Sequence, residues 1–247
     1  MQVERIDFIA LPVEDLPRAD AFYGETLGLA RNPNSSGERW VEYETGNLTL
    51  ALSTFGGGLA LGVSDVGEAR QELEHQKLEF AIDTFDSGVC NGAPFADPDG
   101  NRLLLHRRYA PLERFHVPEQ EVQRTDFVGV NVRDRGAASE FYGGALGLER
   151  NANSSGEWPE FEAANVGLVL STPAQKGGGD YRPEYGVALR TADVEQTMDR
   201  LRGAGVAFEF PQVYDSGVCH MAFFKDPDGN GLMLHRRYAP YPDGTTP

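Results

Sequence analysis

The sequence predicts an α+β fold in which one strand–helix–strand–strand–strand unit is written four times. Three observations carry this. First, the chain repeats itself: NSSGE occurs at 34–38 and 153–157, DSGVC at 86–90 and 215–219, DPDGN at 97–101 and 226–230, and LHRRYAP at 105–111 and 234–240. Second, each half contains a weaker repeat of its own, with RIDFIALPVEDL echoed by GLALGVSDV, and TDFVGVNVRD by YGVALRTAD. Third, in all four places an alternating apolar segment runs into an aspartate (Asp15, Asp65, Asp134 or Asp193) suited to cap a helix. A period of about 120 residues is a whole domain rather than a solenoid repeat.

The elements follow in order. After each aspartate the pattern predicts helices over 16–26, 66–76, 135–145 and 194–203, the last closed by Gly203 and Gly205. Short alternating strands come next: WVEYE and NLTLALS in the first quarter, LEFAI, VCNGAPF and NRLLLH in the second. DPDGN reads as a hairpin turn, with Pro at the second position and an Asp-Gly pair. The expected domains are 1–110 and 123–240, joined by a linker at 111–122 with two prolines and closed by a tail at 241–247. The repeat offset grows from 119 to 129 mostly through the insertion PAQKGGGDYRPEY at 173–185. Two such halves joined by a short linker are expected to pair within the chain as a pseudo-dimer, the molecule then being a monomer.

Composition narrows the function. Net charge is −16, which disfavours phosphate backbones and anionic lipid, so neither nucleic acid nor membrane is an expected partner. No apolar run approaches the ~18 residues a membrane span needs. The N-terminus has no basic segment followed by an apolar one, so no secretory signal is read. Two cysteines, Cys90 and Cys219, cannot make a disulfide framework, and a reducing cytoplasm fits them. Each reads as a buried, unreactive thiol. His220 adjoins Cys219, but neighbours on a strand face opposite ways.

The order FYGETLGL (22–29), DPDGN, then LLLH, repeated as FYGGALGL (141–148), DPDGN and LMLH, resembles the vicinal oxygen chelate superfamily, which includes glyoxalase I, bleomycin resistance proteins and extradiol dioxygenases. The resemblance covers nearly the whole chain. It implies two paired glyoxalase-like domains, each a half-barrel cup made of two βαβββ motifs. Catalytic members of the family hold a divalent metal at the bottom of the cup through His, Glu or Gln at fixed places. Carried onto this chain, those places are Phe8, Ala51, Gly58 and Leu104 in the first half, and Phe127, Val169, Gly186 and Met233 in the second. None ligates a hard or borderline divalent ion, and the Met233 thioether suits only soft metals. No cofactor is therefore expected.

Strand alternation then sorts the faces. The expected ligand-facing residues are Phe8, Trp40, Glu42, Glu44, Leu104 and His106 in the first half. In the second they are Phe127, Trp158, Glu160, Glu162, Met233 and His235. Each has a plainer reading: Phe8 and Phe127 plug a collapsed cup, the glutamates are a solvated strand face, and the histidines are hydrogen-bonded structural groups. An acidic, aromatic cup suits a cationic or planar ligand. The expectation is a metal-free small-molecule binding or sequestering protein of the bleomycin resistance type. Its rivals are a metal-dependent lyase, isomerase or dioxygenase with a non-standard ligand set, such as His106 or His235 with Glu42 or Glu160, and a non-binding interaction domain.

Overall fold

The computed structural model describes residues 1–111, 113, 115–176, 178–241 and 244–245. Leu112 and Arg114 of the expected linker, Gly177 of the insertion, and Pro242, Asp243, Thr246 and Pro247 of the expected tail lie outside the described residues.

The first repeat runs β1 (Arg5–Pro12), α1 (Leu16–Ala21), β2 (Ala30–Arg31), β3 (Trp40–Glu44), β4 (Thr49–Ser53), β5 (Gly58–Gly62), α2 (Val66–His75), β6 (Phe85–Asp86), β7 (Cys90–Ala96) and β8 (Arg102–Arg108). The second runs β9 (Val122–Asn131), α3 (Arg135–Ser139), β10 (Glu149–Arg150), β11 (Glu160–Glu162), β12 (Gly167–Ser171), β13 (Tyr185–Thr191), α4 (Val194–Gly203), β14 (Tyr214–Asp215), β15 (Cys219–Lys225) and β16 (Gly231–Arg237). Each repeat forms one eight-stranded sheet, in the orders β2-β3-β4-β1-β5-β8-β7-β6 and β10-β11-β12-β9-β13-β16-β15-β14. The sheets are mixed: β5 pairs with β8 and β13 with β16 in parallel, while the hairpins β7–β8 and β15–β16 are antiparallel. The architecture is α+β, four βαβββ motifs, with neither sheet closed into a barrel.

The four expected capping aspartates do cap. Asp15 accepts from Arg18 N, Asp65 from Glu68 N, Asp134 from Gly136 N and Ala137 N, and Asp193 from Gln196 N. The helices expected over 16–26 and 135–145 differ in one respect. They change to wider π turns at Phe22–Thr26 and Glu140–Ala145, which carry the buried rings of Tyr23 and Tyr142.

The chain folds into two compact units. One comprises Met1–Ala10, Gly57–Arg114 and Gly129–Tyr185; the other comprises Leu11–Gly56, Phe115–Val128 and Gly186–Pro247. Each unit therefore contains one motif from each repeat. The first has a core that includes Ile6, Ile9, Leu61, Leu103, Leu105, Tyr142 and Leu168, all buried. Its two motifs are tied by buried polar contacts: Tyr142 OH donates to Asp97 Oδ2 at 2.9 Å, and Asn165 both accepts from Ile6 N at 3.0 Å and donates to Ile6 O at 2.8 Å. In the second unit Tyr23 OH donates to Asp226 Oδ2 at 2.9 Å, and Asn47 makes the same pair of bonds to the backbone of Thr125, both at 2.8 Å. Asp97 and Asp226 are the first residues of the two DPDGN turns, which close with Gly100 N to Asp97 O and Gly229 N to Asp226 O, each 3.0 Å. The turn thus does two jobs: it makes the hairpin and buries a carboxylate that only matched donors can satisfy.

Candidate functional site

In the first unit the site grows from an irregularity in β1. Opposite β5, Ile6 pairs with Leu61 but Phe8 pairs with Ala60, so one extra residue is inserted in β1. Such a bulge breaks the alternation of faces. Asp7 is thereby turned toward β8, where His106 Nδ1 lies 2.7 Å from Asp7 Oδ2. The Phe8 ring meets the same imidazole edge-on, centroids 5.3 Å apart and planes at 76°. Arg5 Nε sits 3.0 Å from Asp7 Oδ1. Gly62, directly beside His106 on β5, makes room for this: a Cβ there would fall 2.9 Å from Arg5 Cγ and 3.0 Å from Asp7 Oδ2. On the far side of His106, the Leu104 methyl and the Phe85 ring close over Gly92.

The second unit builds the same arrangement from different strands. His235 Nδ1 lies 2.5 Å from Asp126 Oδ2, and the Phe127 ring again stands 5.3 Å away at 76°. The arginine now comes from β13, where Arg190 occupies the place of Gly62: its Nε donates to Asp126 Oδ1 at 2.7 Å, while Arg124, the counterpart of Arg5, is 3.7 Å away. Burial disfavours charge on His235, but the Asp126 carboxylate and the Cys219 sulfur override it and raise its pKa from 6.5 to about 9. The imidazole is held as an imidazolium at neutral pH.

Of the expected residues, the structure brings Phe8 and His106 together in one unit and Phe127 and His235 in the other. Both histidines are nearly buried and hydrogen-bonded. On β3, Trp40, Glu42 and Glu44 share one face while Val41 and Tyr43 are buried on the other. Trp40 Nε1 donates to Glu42 Oε1 at 2.8 Å, and Asn32 Nδ2 approaches Glu42 Oε2 at 3.2 Å. The equivalence with the second repeat fails locally. Pro159 stands in place of Val41, β11 begins only at Glu160, and Trp158 is left outside the strand and 46% exposed. Proline has no N–H to give a ladder. Glu162 is exposed and accepts from Asn151 Nδ2 at 2.6 Å. Met233 pairs with Phe223 across the β15–β16 hairpin.

Asp7, Asp126 and Arg190 are functional groups that strict alternation misses, because it puts Asp7 and Asp126 on the opposite face from Phe8 and Phe127. The available signal is their repetition: a lone carboxylate in an apolar strand, in IDF and again in TDF.

The donor set does not fit the family's divalent metal. Phe8, Gly58 and Leu104 in one unit, and Phe127, Gly186 and Met233 in the other, lie on the strands where ligands would stand and offer no nitrogen or oxygen side chain. Among the described residues no group of three or more His, Cys, Asp or Glu side chains is placed to hold a metal ion. Each His–Asp pair supplies two groups, and the Asp oxygen not bonded to His already faces an arginine. Among the described residues, no helix is long and apolar enough to cross a membrane.

Two mixed eight-stranded sheets built from repeated βαβββ motifs, each with an aromatic residue over an Asp–His pair, define a tandem α+β protein. Residues 124–234 match the model of the Glyoxalase/Bleomycin resistance protein/Dioxygenase superfamily, and the fold of both repeats is consistent with that match. Among solved structures, it is similar to the Mn(II)-bound glyoxalase from Novosphingobium aromaticivorans (14% identity, TM-score 0.68, 94% of this chain and 82% of that one). It is likewise similar to the 2,3-dioxygenase LapB from Pseudomonas sp. KL28 (14%, 0.68, 98% and 95%) and to homoprotocatechuate 2,3-dioxygenase from Arthrobacter globiformis (16%, 0.68, 99% and 84%). No curated protein matches the sequence.

Proposed function

We propose that this chain is a metal-independent member of the superfamily that binds small molecules rather than transforming them at a metal. One observation carries the reading: the positions from which the family ligates metal hold Phe, Ala, Gly, Leu, Val and Met, and the nearest ionisable groups are already committed to Arg–Asp–His clusters. The Trp40–Glu42 pair adds an indole face beside a fixed carboxylate, which suits a cationic aromatic ligand. A cation over an indole gains about 0.5–2 kcal/mol. We place the protein in the cytoplasm, working without nucleic acid or membrane. We keep 1–110 and 123–240 as its domains, paired within one chain.

The test is a thermal-shift and tryptophan-fluorescence screen of matched cationic, neutral and anionic aromatics, in buffer containing a chelator. A cationic ligand at ~100 times its dissociation constant adds about 2.7 kcal/mol of stability. Binding of anionic compounds alone contradicts the ligand class. Binding that appears only on adding a divalent metal contradicts the whole reading.

A second reading is a metal-dependent enzyme. The similar structures favour it, since they are a Mn(II)-bound glyoxalase and ring-cleaving dioxygenases. It requires a ligand set outside the family's usual places.

A further inference from the structure

We propose that the Arg190–Asp126–His235 cluster is a binding site for small aromatic carboxylates, in which the Arg190 guanidinium takes the carboxylate and one face of the β15–β16 hairpin takes the ring. The inference rests on the reading of the chain as a small-molecule binder, and it gives this cluster a ligand of opposite charge to that of the Trp40–Glu42 pair.

Strand register builds the charged end of the site. Arg190 on β13 pairs with His235 on β16 in parallel, so the two side chains stand on one face of the sheet. Both meet Asp126: Arg190 Nε donates to Oδ1 at 2.7 Å, and His235 Nδ1 lies 2.5 Å from Oδ2. Among the described residues, Arg190 hydrogen-bonds to Asp126 through Nε alone, so the end of its guanidinium fork is open to a second carboxylate. Its side chain is 18% exposed, more than that of Asp126 or His235, so it is the part of the trio that solvent reaches most easily. Arg124 stands 3.7 Å from the same carboxylate. Three basic side chains thus surround one acid, and the raised pKa of His235 keeps its imidazole charged at neutral pH. The spot is positive in a chain whose net charge is −16.

The hairpin supplies the apolar wall. On the face that carries His235, Met221 lies opposite it, and Phe223 lies opposite Met233. The rings of Phe210 and Tyr214 stand edge-on to Phe223, with centroids 6.0 and 6.5 Å away, and both are half-exposed. Neither strand contains an acidic residue, and Lys225 and Arg237 stand at the two ends of this face. A flat apolar body with one negative charge complements such a surface. The first repeat lacks each part. Beside His106, Gly62 stands in place of Arg190 and Gly92 in place of Met221, and Pro94 replaces Phe223.

The test is isothermal titration calorimetry of the full chain with benzoate, benzamide and benzylamine, in neutral buffer containing a chelator. Benzoate is expected to bind at least about tenfold more tightly than its neutral counterpart benzamide. Arg190→Gln is expected to weaken benzoate by at least about tenfold and to leave benzylamine unchanged. Arg190→Lys, which keeps the charge and loses the fork, is expected to fall between the two. Tyr214→Ser, at an exposed position on the wall, is expected to weaken benzoate as well. The proposal falls if benzoate binds no more tightly than benzamide, or if Arg190→Gln binds it as tightly as the wild type does. Binding of benzylamine with none of benzoate overturns this inference and leaves the reading of the chain as a binder standing. Should Arg190→Gln fail to fold, the wild-type preference for benzoate over benzamide and its loss in Tyr214→Ser decide.

Discussion

Removing the His235 side chain should remove a pH-dependent part of the stability. Folding raises the pKa of His235 from 6.5 to about 9. The folded state therefore holds a proton that the unfolded chain releases between those values. The stabilisation is complete below about pH 6.5 and is lost as pH rises through about 9. At about 1.4 kcal/mol per pKa unit, the contribution is about 3 kcal/mol. His235 and Asp126 side chains are 10% and 7% exposed, so solvent screening removes little of it. The assay is thermal unfolding of wild type and His235→Gln at intervals from pH 6 to 9.5. For a protein of this size each kcal/mol moves Tm by about 2–4 °C, so about 6–12 °C is at stake. The gap between the two proteins should be widest near pH 6 and should narrow by most of that amount at pH 9.5. A residual gap remains from lost packing, which does not titrate. A difference that stays constant across the range would refute the charged His235–Asp126 pair.

Other outcomes follow from the polar ties and the turns. Tyr142→Phe, which deletes the donor to the buried Asp97 carboxylate, should destabilise by about 1.5–3 kcal/mol, and Tyr23→Phe should do the same through Asp226; urea unfolding measures both. Gly46 has φ +85°, and a Cβ there would come within 2.8 Å of Gln123 O, so Gly46→Ala should lower stability by about 1–3 kcal/mol in the same assay.

What the sequence makes legible is periodic or punctuated. The four capping aspartates precede the four helices, and the repeated DPDGN marks both hairpins, because caps and turns are local and need only a few residues to specify them. The repeated DSGVC and LHRRYAP become intelligible together: Tyr109 OH reaches Asp86, and Tyr238 OH reaches Asp215 at 2.8 Å, so each pair joins a turn to the end of the neighbouring strand. The Asp–His pairs are different. The Asp7–His106 pair depends on the inserted residue in β1, and nothing in RIDFIALP announces a bulge to a reader counting by twos. Sequence adjacency would join His220 to Cys219, but His220 packs against Tyr238 with centroids 4.8 Å apart. Trp40 and Trp158 are equivalent in the alignment of the repeats and unequal in the fold, because one proline shortens β11.

The most direct test of the account is elemental analysis of protein purified without chelator from metal-supplemented cells. Metal independence predicts well under one equivalent per chain of Mn, Fe, Ni and Zn, with Tm unchanged by dialysis against a chelator. Stoichiometric metal, near one ion per repeat and stabilising the fold, would contradict it.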